Sequence, residues 1–294
     1  MRFSHVILLV FSFWFVIPAQ AQIRKHKRKR STNAGTLYFD WGYNRTTYTK
    51  STIHFLSADP AYDFTLKGVQ ARDKQPKPDI KYYVNPQYMT IPQYNFRIGY
   101  YFKHKWAISL GVDHFNYIVK PDSEAELNGH LDLDADSTWQ GNYDQKSVTL
   151  NSNHFRYEHS GGLNYIRIEV MRSFDLVEAG RQREFAITGS LGASLGPALT
   201  TTNFYFGGEF NSRATALSGY GMGLSGNVRL EFFRHVFIQT EGMLGFTHLP
   251  GVRTSSIDRN MRAKQAFGFA TYNVAFGLIF YLNPKNACDS CPKW

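Results

Sequence analysis

The sequence predicts an all-β protein, an eight-stranded antiparallel up-and-down transmembrane β-barrel with long loops at one end. Three observations carry that expectation. Segments with a two-residue alternation recur along the chain, their connections alternate between short and long, and a secretory leader precedes them. The clearest segment is Asn273–Leu282. Val274, Phe276, Leu278, Phe280 and Leu282 share one strand face, and Asn273, Ala275, Gly277, Ile279 and Tyr281 share the other. A half-buried soluble strand sets an apolar inner face against a charged outer one. This segment instead suits an outer face in lipid and a small, weakly polar inner face in a narrow lumen.

Residues 1–21 read as a signal peptide, with Arg2 as the positive start, an apolar run over Val6–Ile17 and the cleavage motif Ala19-Gln20-Ala21. That run is shorter than the roughly 18 residues of a helical span. The net charge of +10 is misleading, because residues 1–30 hold seven Lys/Arg and no acids. The remainder has 26 basic against 23 acidic residues, only +3. The excess sits in Arg24-Lys-His-Lys-Arg-Lys-Arg30, within a basic tail over residues 22–34. For an exported chain, nucleic acid is a poor partner for such a run. Anionic headgroups suit it better, and a solvated tail explains it equally well.

Eight alternating segments follow within a barrel expected over residues 35–283: Thr36–Tyr48, Ile91–Phe102, Trp106–Val119, Tyr157–Arg172, Glu184–Leu199, Ser218–Phe232, Val236–Leu249 and Gln265–Leu282. Lys103-His104-Lys105 and Arg234-His235 are tight turns, and residues 173–183 a medium one. Residues 49–90, 120–156, 200–217 and 250–264 are long polar connections, expected as extracellular loops. Eight strands keep every long connection on one side and both termini in the periplasm. Residues 51–71 contain two further strand-like stretches, expected as a hairpin above the membrane. The alternative takes them into the wall and makes ten strands.

The same parity places Asp40, Arg97, Asp113, Arg167, Glu169, Arg229, Glu231, Gln239 and Glu241 inside. An eight-strand interior is just wide enough for side chains to fill, so these groups are expected to pair as a charge network that plugs the lumen. A polar ion pathway is the alternative.

Two cysteines, Cys288 and Cys291, lie in a C-terminal tail over residues 284–294. One Cys-x-x-Cys lacks the second ligand pair of a structural zinc site, and a local disulfide suits an oxidising periplasm. Asp132-Leu-Asp-Ala-Asp136 suggests calcium, but Ser137 and Tyr143 stand where an EF-hand loop needs Gly and Glu. A solvated acidic loop is preferred, and no metal or cofactor is expected.

Thr90-Ile-Pro-Gln-Tyr-Asn95, Gly111-Val-Asp-His114 and Glu158-His-Ser-Gly-Gly-Leu-Asn-Tyr165 stand out as landmarks in the strands. With the alternation around them, residues 35–282 resemble the small Gram-negative outer-membrane barrels of the OmpX type. The resemblance is one of pattern and architecture and implies no activity.

Two functions from different classes follow. The first is a non-enzymatic barrel, monomeric in the favoured reading, that meets outer-membrane lipid and lipopolysaccharide. Its loops, with Tyr82, Tyr83 and Tyr88 in the first, serve structural, glycan-binding or protein-binding use. The second is a lipid esterase at the extracellular rim, with His159 as base, Ser160 as nucleophile, and Asn164 or His114 as supporting groups. Outer-membrane phospholipases separate their His and Ser by one residue, whereas here the two are adjacent. A regular strand sends them to opposite faces, unless the Gly161-Gly162 pair makes a bulge. No catalysis is therefore favoured at this pair.

Overall fold

The computed structural model describes residues 33–282, apart from 59–60, 77–78, 86, 133–135 and 181–182. The expected signal peptide, nearly all of the basic tail and the Cys288–Cys291 pair lie outside the described residues.

The described residues are all-β apart from one short helix. Its strands are β1 (Thr36–Tyr48), β2 (Ser51–Ala58), β3 (Ala61–Val69), β4 (Ala71–Arg72), β5 (Tyr94–Lys103), β6 (Trp106–Val119), β7 (Glu124–Leu131), β8 (Gly141–Thr149), β9 (Arg156–Ala179), β10 (Phe185–Phe206), β11 (Glu209–Phe232), β12 (Val236–Arg253) and β13 (Arg262–Tyr281). The helix α1 (Ile80–Val84) lies between β4 and β5 and is N-capped by Asp79, whose side chain accepts from the Lys81 N–H.

Eight strands pair antiparallel in the order β1-β5-β6-β9-β10-β11-β12-β13, and β13 returns to β1, so the hydrogen bonding closes into a ring. All eight fall on the segments expected from alternation. Thr36 opposes Tyr281, which brings the two ends of the described chain together at the end of the ring that carries the tight turns.

The opposite end departs from expectation. Residues 200–217 and 250–264 were expected as loops, but β10 and β11 run on to a turn at Gly207-Gly208, and β12 and β13 run on to Arg253 and from Arg262. Both turn glycines have positive φ, 63° and 83°, a conformation that carries a penalty for a residue with a Cβ. Residues 120–156, also expected as a loop, contain the β7–β8 hairpin. At the other end β9 continues to Ala179, through most of the medium turn expected at 173–183.

The β2–β3 hairpin does not enter the ring. β1 leaves β13 at the Tyr48–Phe269 pair, and β2 takes over the same edge from Thr52–Ala266 to Leu56–Arg262. β3 then pairs with β7, and β7 with β8, so the long connections fold into a sheet continuous with the ring.

The packing inside this extension explains why those segments are ordered. Phe55, Phe64, Phe115, Tyr117, Phe155, Tyr157, Phe204, Phe206 and Phe267 are all buried in one apolar core. Phe55 stacks on Phe64 and on Phe204, with ring centroids 5.0 and 5.2 Å apart. A second, smaller cluster of Tyr38, Tyr101, Met171, Phe237 and Ile279 fills the interior at the tight-turn end.

Candidate functional site

Two surfaces follow from this frame: a charged cluster inside the ring and an apolar belt outside it. Along β1, β5, β6, β9, β11, β12 and β13 alternate side chains point inward, and between the two apolar clusters those residues are charged, polar or small. Asp40, Arg97, Asp113, Arg167, Glu169, Arg229 and Glu241 are all buried.

Glu241 on β12 is the hub. Its carboxylate accepts from Arg97 Nη1 and Nη2 on β5, at 2.7 and 3.1 Å, and from Arg167 Nη2 on β9 at 2.7 Å. Asn273 Nδ2 donates to it at 3.1 Å. Asp113 lies 3.0 Å from Arg167 Nε, and Glu169 lies 3.8 and 3.7 Å from the two guanidiniums. Neither β5 nor β9 neighbours β12 in the ring, so these contacts cross its interior. Charge-assisted, partly bidentate pairs of this kind let buried ions persist without water.

Glycines make the room. A Cβ on Gly277 would sit 2.1 Å from the Phe237 ring, and one on Gly99 2.1 Å from the Tyr38 ring.

Arg229 departs from the expected pattern, in which it would meet a glutamate across the interior. Its guanidinium lies over the Phe237 and Tyr38 rings, 3.9 and 4.5 Å from their centroids, and its Nε donates to Gln239 at 2.9 Å. Glu231 pairs instead with Arg183 near the tight-turn end, at 3.3 Å. Sequence parity gave the direction of Arg229 but not its aromatic partners, because Tyr38 and Phe237 come from β1 and β12 and meet only in three dimensions.

The outer face is the reverse of the inner one. Ile98, Leu110, Ile168, Leu191, Leu224, Ile238, Leu244, Val274 and Phe276 are exposed on the ring strands. Trp41, Tyr94 and His114 stack in a row along the edge of this belt, with centroids 4.9 Å apart at each step. Beyond that row the pattern inverts. The outward residues become Arg45, Thr47, Glu158, Ser160, Asn203, Arg262 and Lys264, while the inward ones become the aromatic core.

That inversion was present in the sequence as aromatic pairs two residues apart, such as Phe115 and Tyr117, Phe155 and Tyr157, Phe204 and Phe206, and Phe267 and Phe269. Phe155, Phe204 and Phe206 fell in stretches expected as polar loops, while the other pairs lay in segments expected as strands.

The His–Ser pair lies beyond the belt, and the two side chains diverge. His159 is buried, with Nδ1 3.0 Å from Thr202 Oγ1 and Nε2 3.4 Å from the Tyr157 hydroxyl. Burial among aromatic rings pushes its imidazole down to about 4. Ser160 points out, donating to Glu158 at 2.7 Å and accepting from Asn203 at 2.9 Å. Gly162 is the bulge, with φ 117°. His114 and Asn164 are directly opposed in the regular β6–β9 register just before this irregularity, with Nδ1 2.8 Å from Oδ1, and Ser160 keeps Glu158 and Asn203. A serine hydroxyl bonded to a carboxylate and an amide lacks the imidazole base that nucleophilic attack on an ester requires. In the acidic stretch, Asp132 pairs with His130 at 2.7 Å and Asp136 pairs with His154.

No protein-family model matches the chain, and no curated protein matches it either. Solved structures to which it is similar include the outer membrane protein OprG from Pseudomonas aeruginosa, at 12% identity and a TM-score of 0.37, covering 85% of this chain and 98% of that one. The outer membrane protein AlkL is similar at 9% identity and a TM-score of 0.39, covering 88% and 96%. Ail, the attachment invasion locus protein of Yersinia pestis, is similar at 13% identity and a TM-score of 0.33, covering 84% and 99%.

Proposed function

We propose that the chain is an integral outer-membrane β-barrel whose lumen is plugged by its own side chains and whose extracellular end is a folded display surface. The observation that carries this reading is the inversion of the alternation along single strands. On β13, Tyr272, Val274, Phe276 and Phe280 are exposed outside, opposite inward Asn273, Ala275 and Gly277. Further along the same strand, Arg262 and Lys264 are outside and Phe267 and Phe269 are buried inside. Water on both stretches would leave a broad apolar surface exposed at large cost. Lipid on the first stretch and water on the second satisfies both.

In this reading the Trp41–Tyr94–His114 row marks the outer-leaflet boundary, where amphipathic rings favour one apolar and one wet side. The tight turns and both termini then face the periplasm, as the leader over residues 1–21 implies. The interior is closed twice, by the charge cluster around Glu241 and by the aromatic core above it. Such an interior suits a structural, adhesive or partner-binding role over conduction. The polar outer faces of β9, β10 and β11 and the tips beyond them form the surface offered to a partner. The divergence of His159 and Ser160 speaks against a lipid esterase at that pair.

The experiment is conductance of the purified, lipid-reconstituted protein in planar bilayers. Silence is expected, and steady, large unitary openings would overturn the plugged reading.

A further inference from the structure

The segment from Asp79 to Ile91 carries three aliphatic side chains that the fold leaves exposed. Ile80 is 79% exposed, Val84 69% and Ile91 48%. Scattered exposed aliphatics need no explanation, but three in one short segment beside a lipid-facing belt do. Ile80 and Val84 are four residues apart on α1 and so share a helix face.

The segment is fixed to the outer wall of the ring. The hydroxyl of Tyr43, an outward residue of β1, donates to the Tyr83 carbonyl at 2.7 Å, and the two rings meet edge-on with centroids 4.9 Å apart. Tyr43 stands one outward position beyond Trp41, so the segment is held at the level where the apolar belt ends. Around it, Tyr82 packs edge-on against Tyr88, and the Lys81 ammonium lies 4.6 Å from the centre of the Tyr88 ring. Aliphatic side chains, tyrosines and a lysine with its charge at one edge are the composition of segments that lie at a membrane surface.

We infer that residues 79–85 and 87–91 form an interfacial clasp, lying against the outer leaflet and seating Ile80, Val84 and Ile91 in the acyl region just below the headgroups. This rests on the membrane reading above and deepens it. The partner is the leaflet lipid, chosen because Tyr43, which anchors the segment, stands on the outer face of β1 one outward position beyond Trp41, where the apolar belt ends. The clasp ties the first extracellular connection to the membrane surface through Tyr43 on β1.

The test uses the full chain with Cys288 and Cys291 changed to serine, folded into phosphatidylcholine vesicles. A single environment-sensitive fluorophore is placed at Val84→Cys or, as the belt reference, at Leu110→Cys. Vesicles carry a nitroxide either near the headgroup or near the chain end, and aqueous iodide is the third quencher. The clasp predicts that the Val84 label loses its emission chiefly to the shallow nitroxide and is shielded from iodide, while the Leu110 label is lost to lipid nitroxide. If Leu110 is quenched by lipid but Val84 only by iodide, the clasp is wrong and the membrane reading stands. Quenching of Val84 chiefly by the deep nitroxide would also overturn an interfacial seat. If neither label is quenched by lipid, the membrane reading fails and the clasp with it.

Discussion

Replacing Glu241 with methionine should be among the most damaging single changes to the interior. The carboxylate takes hydrogen bonds from Arg97 at 2.7 and 3.1 Å, from Arg167 at 2.7 Å and from Asn273 at 3.1 Å. Without it the two arginines fare differently. Arg167 keeps a close ion pair with Asp113, Nε to Oδ2 at 3.0 Å though without hydrogen-bond geometry, whereas Arg97 keeps only Glu169 at 3.8 Å. A buried charge deprived of its partner costs about 3–5 kcal/mol, and that is the expected loss for Glu241→Met. Because most of the loss is the stranded Arg97, adding Arg97→Met should restore the larger part of it. Urea titration of vesicle-folded protein, followed by tryptophan emission and by folded-form gel mobility, measures both variants. A single variant within about 1 kcal/mol of the parent, or a double variant less stable than the single, would refute the assignment of Glu241 as hub.

Other perturbations follow from the same structure. Gly277→Ala puts a methyl 2.1 Å from the Phe237 ring and should cost about 1–3 kcal/mol in the same titration. Leu110→Arg, on the exposed belt, should cost about 2–4 kcal/mol if that position lies near the bilayer midplane, and close to nothing if it faces water. His159, whose pKa burial lowers to about 4, should make stability depend on pH. The unfolded chain binds the proton more readily, so the contribution is fully present above about pH 6.5 and falls away as pH drops toward 4, by up to about 3 kcal/mol. His159→Gln should flatten that slope in pH-resolved urea midpoints, and an unchanged slope would place the titrating group elsewhere.

Much of the ring was legible because an apolar outer face set against a small or polar inner one is a pattern that a single strand can display. Val274 to Leu282 alternates without interruption, and every ring strand falls on a segment found that way. The inward direction of Arg97, Arg167 and Glu241 came from the same parity. Their partners did not, since which carboxylate meets which guanidinium depends on register across strands that are not neighbours.

The long connections were misread for a related reason. Their outward residues are polar, as at Thr201, Asn203, Arg262 and Lys264, and polarity suggested loops. The buried partners of that polarity, Phe204, Phe206, Phe267 and Phe269, carry the strand signal with the faces exchanged. The Gly161-Gly162 bulge was anticipated as a possible rescue of the His–Ser geometry. It does not turn Ser160 toward an imidazole, and His114 meets Asn164 through the regular pairing of β6 with β9, which no single strand displays.

The central claim is that one face of each ring strand meets lipid while the other packs inside. A spin-label accessibility scan along residues 273–280 of β13, in lipid vesicles, tests it most directly. Labels at 274, 276, 278 and 280 should collide freely with oxygen and little with a water-soluble nickel chelate. Labels at 273, 275, 277 and 279 should be shielded from both. A two-residue period in chelate accessibility with the even positions in water would contradict the account.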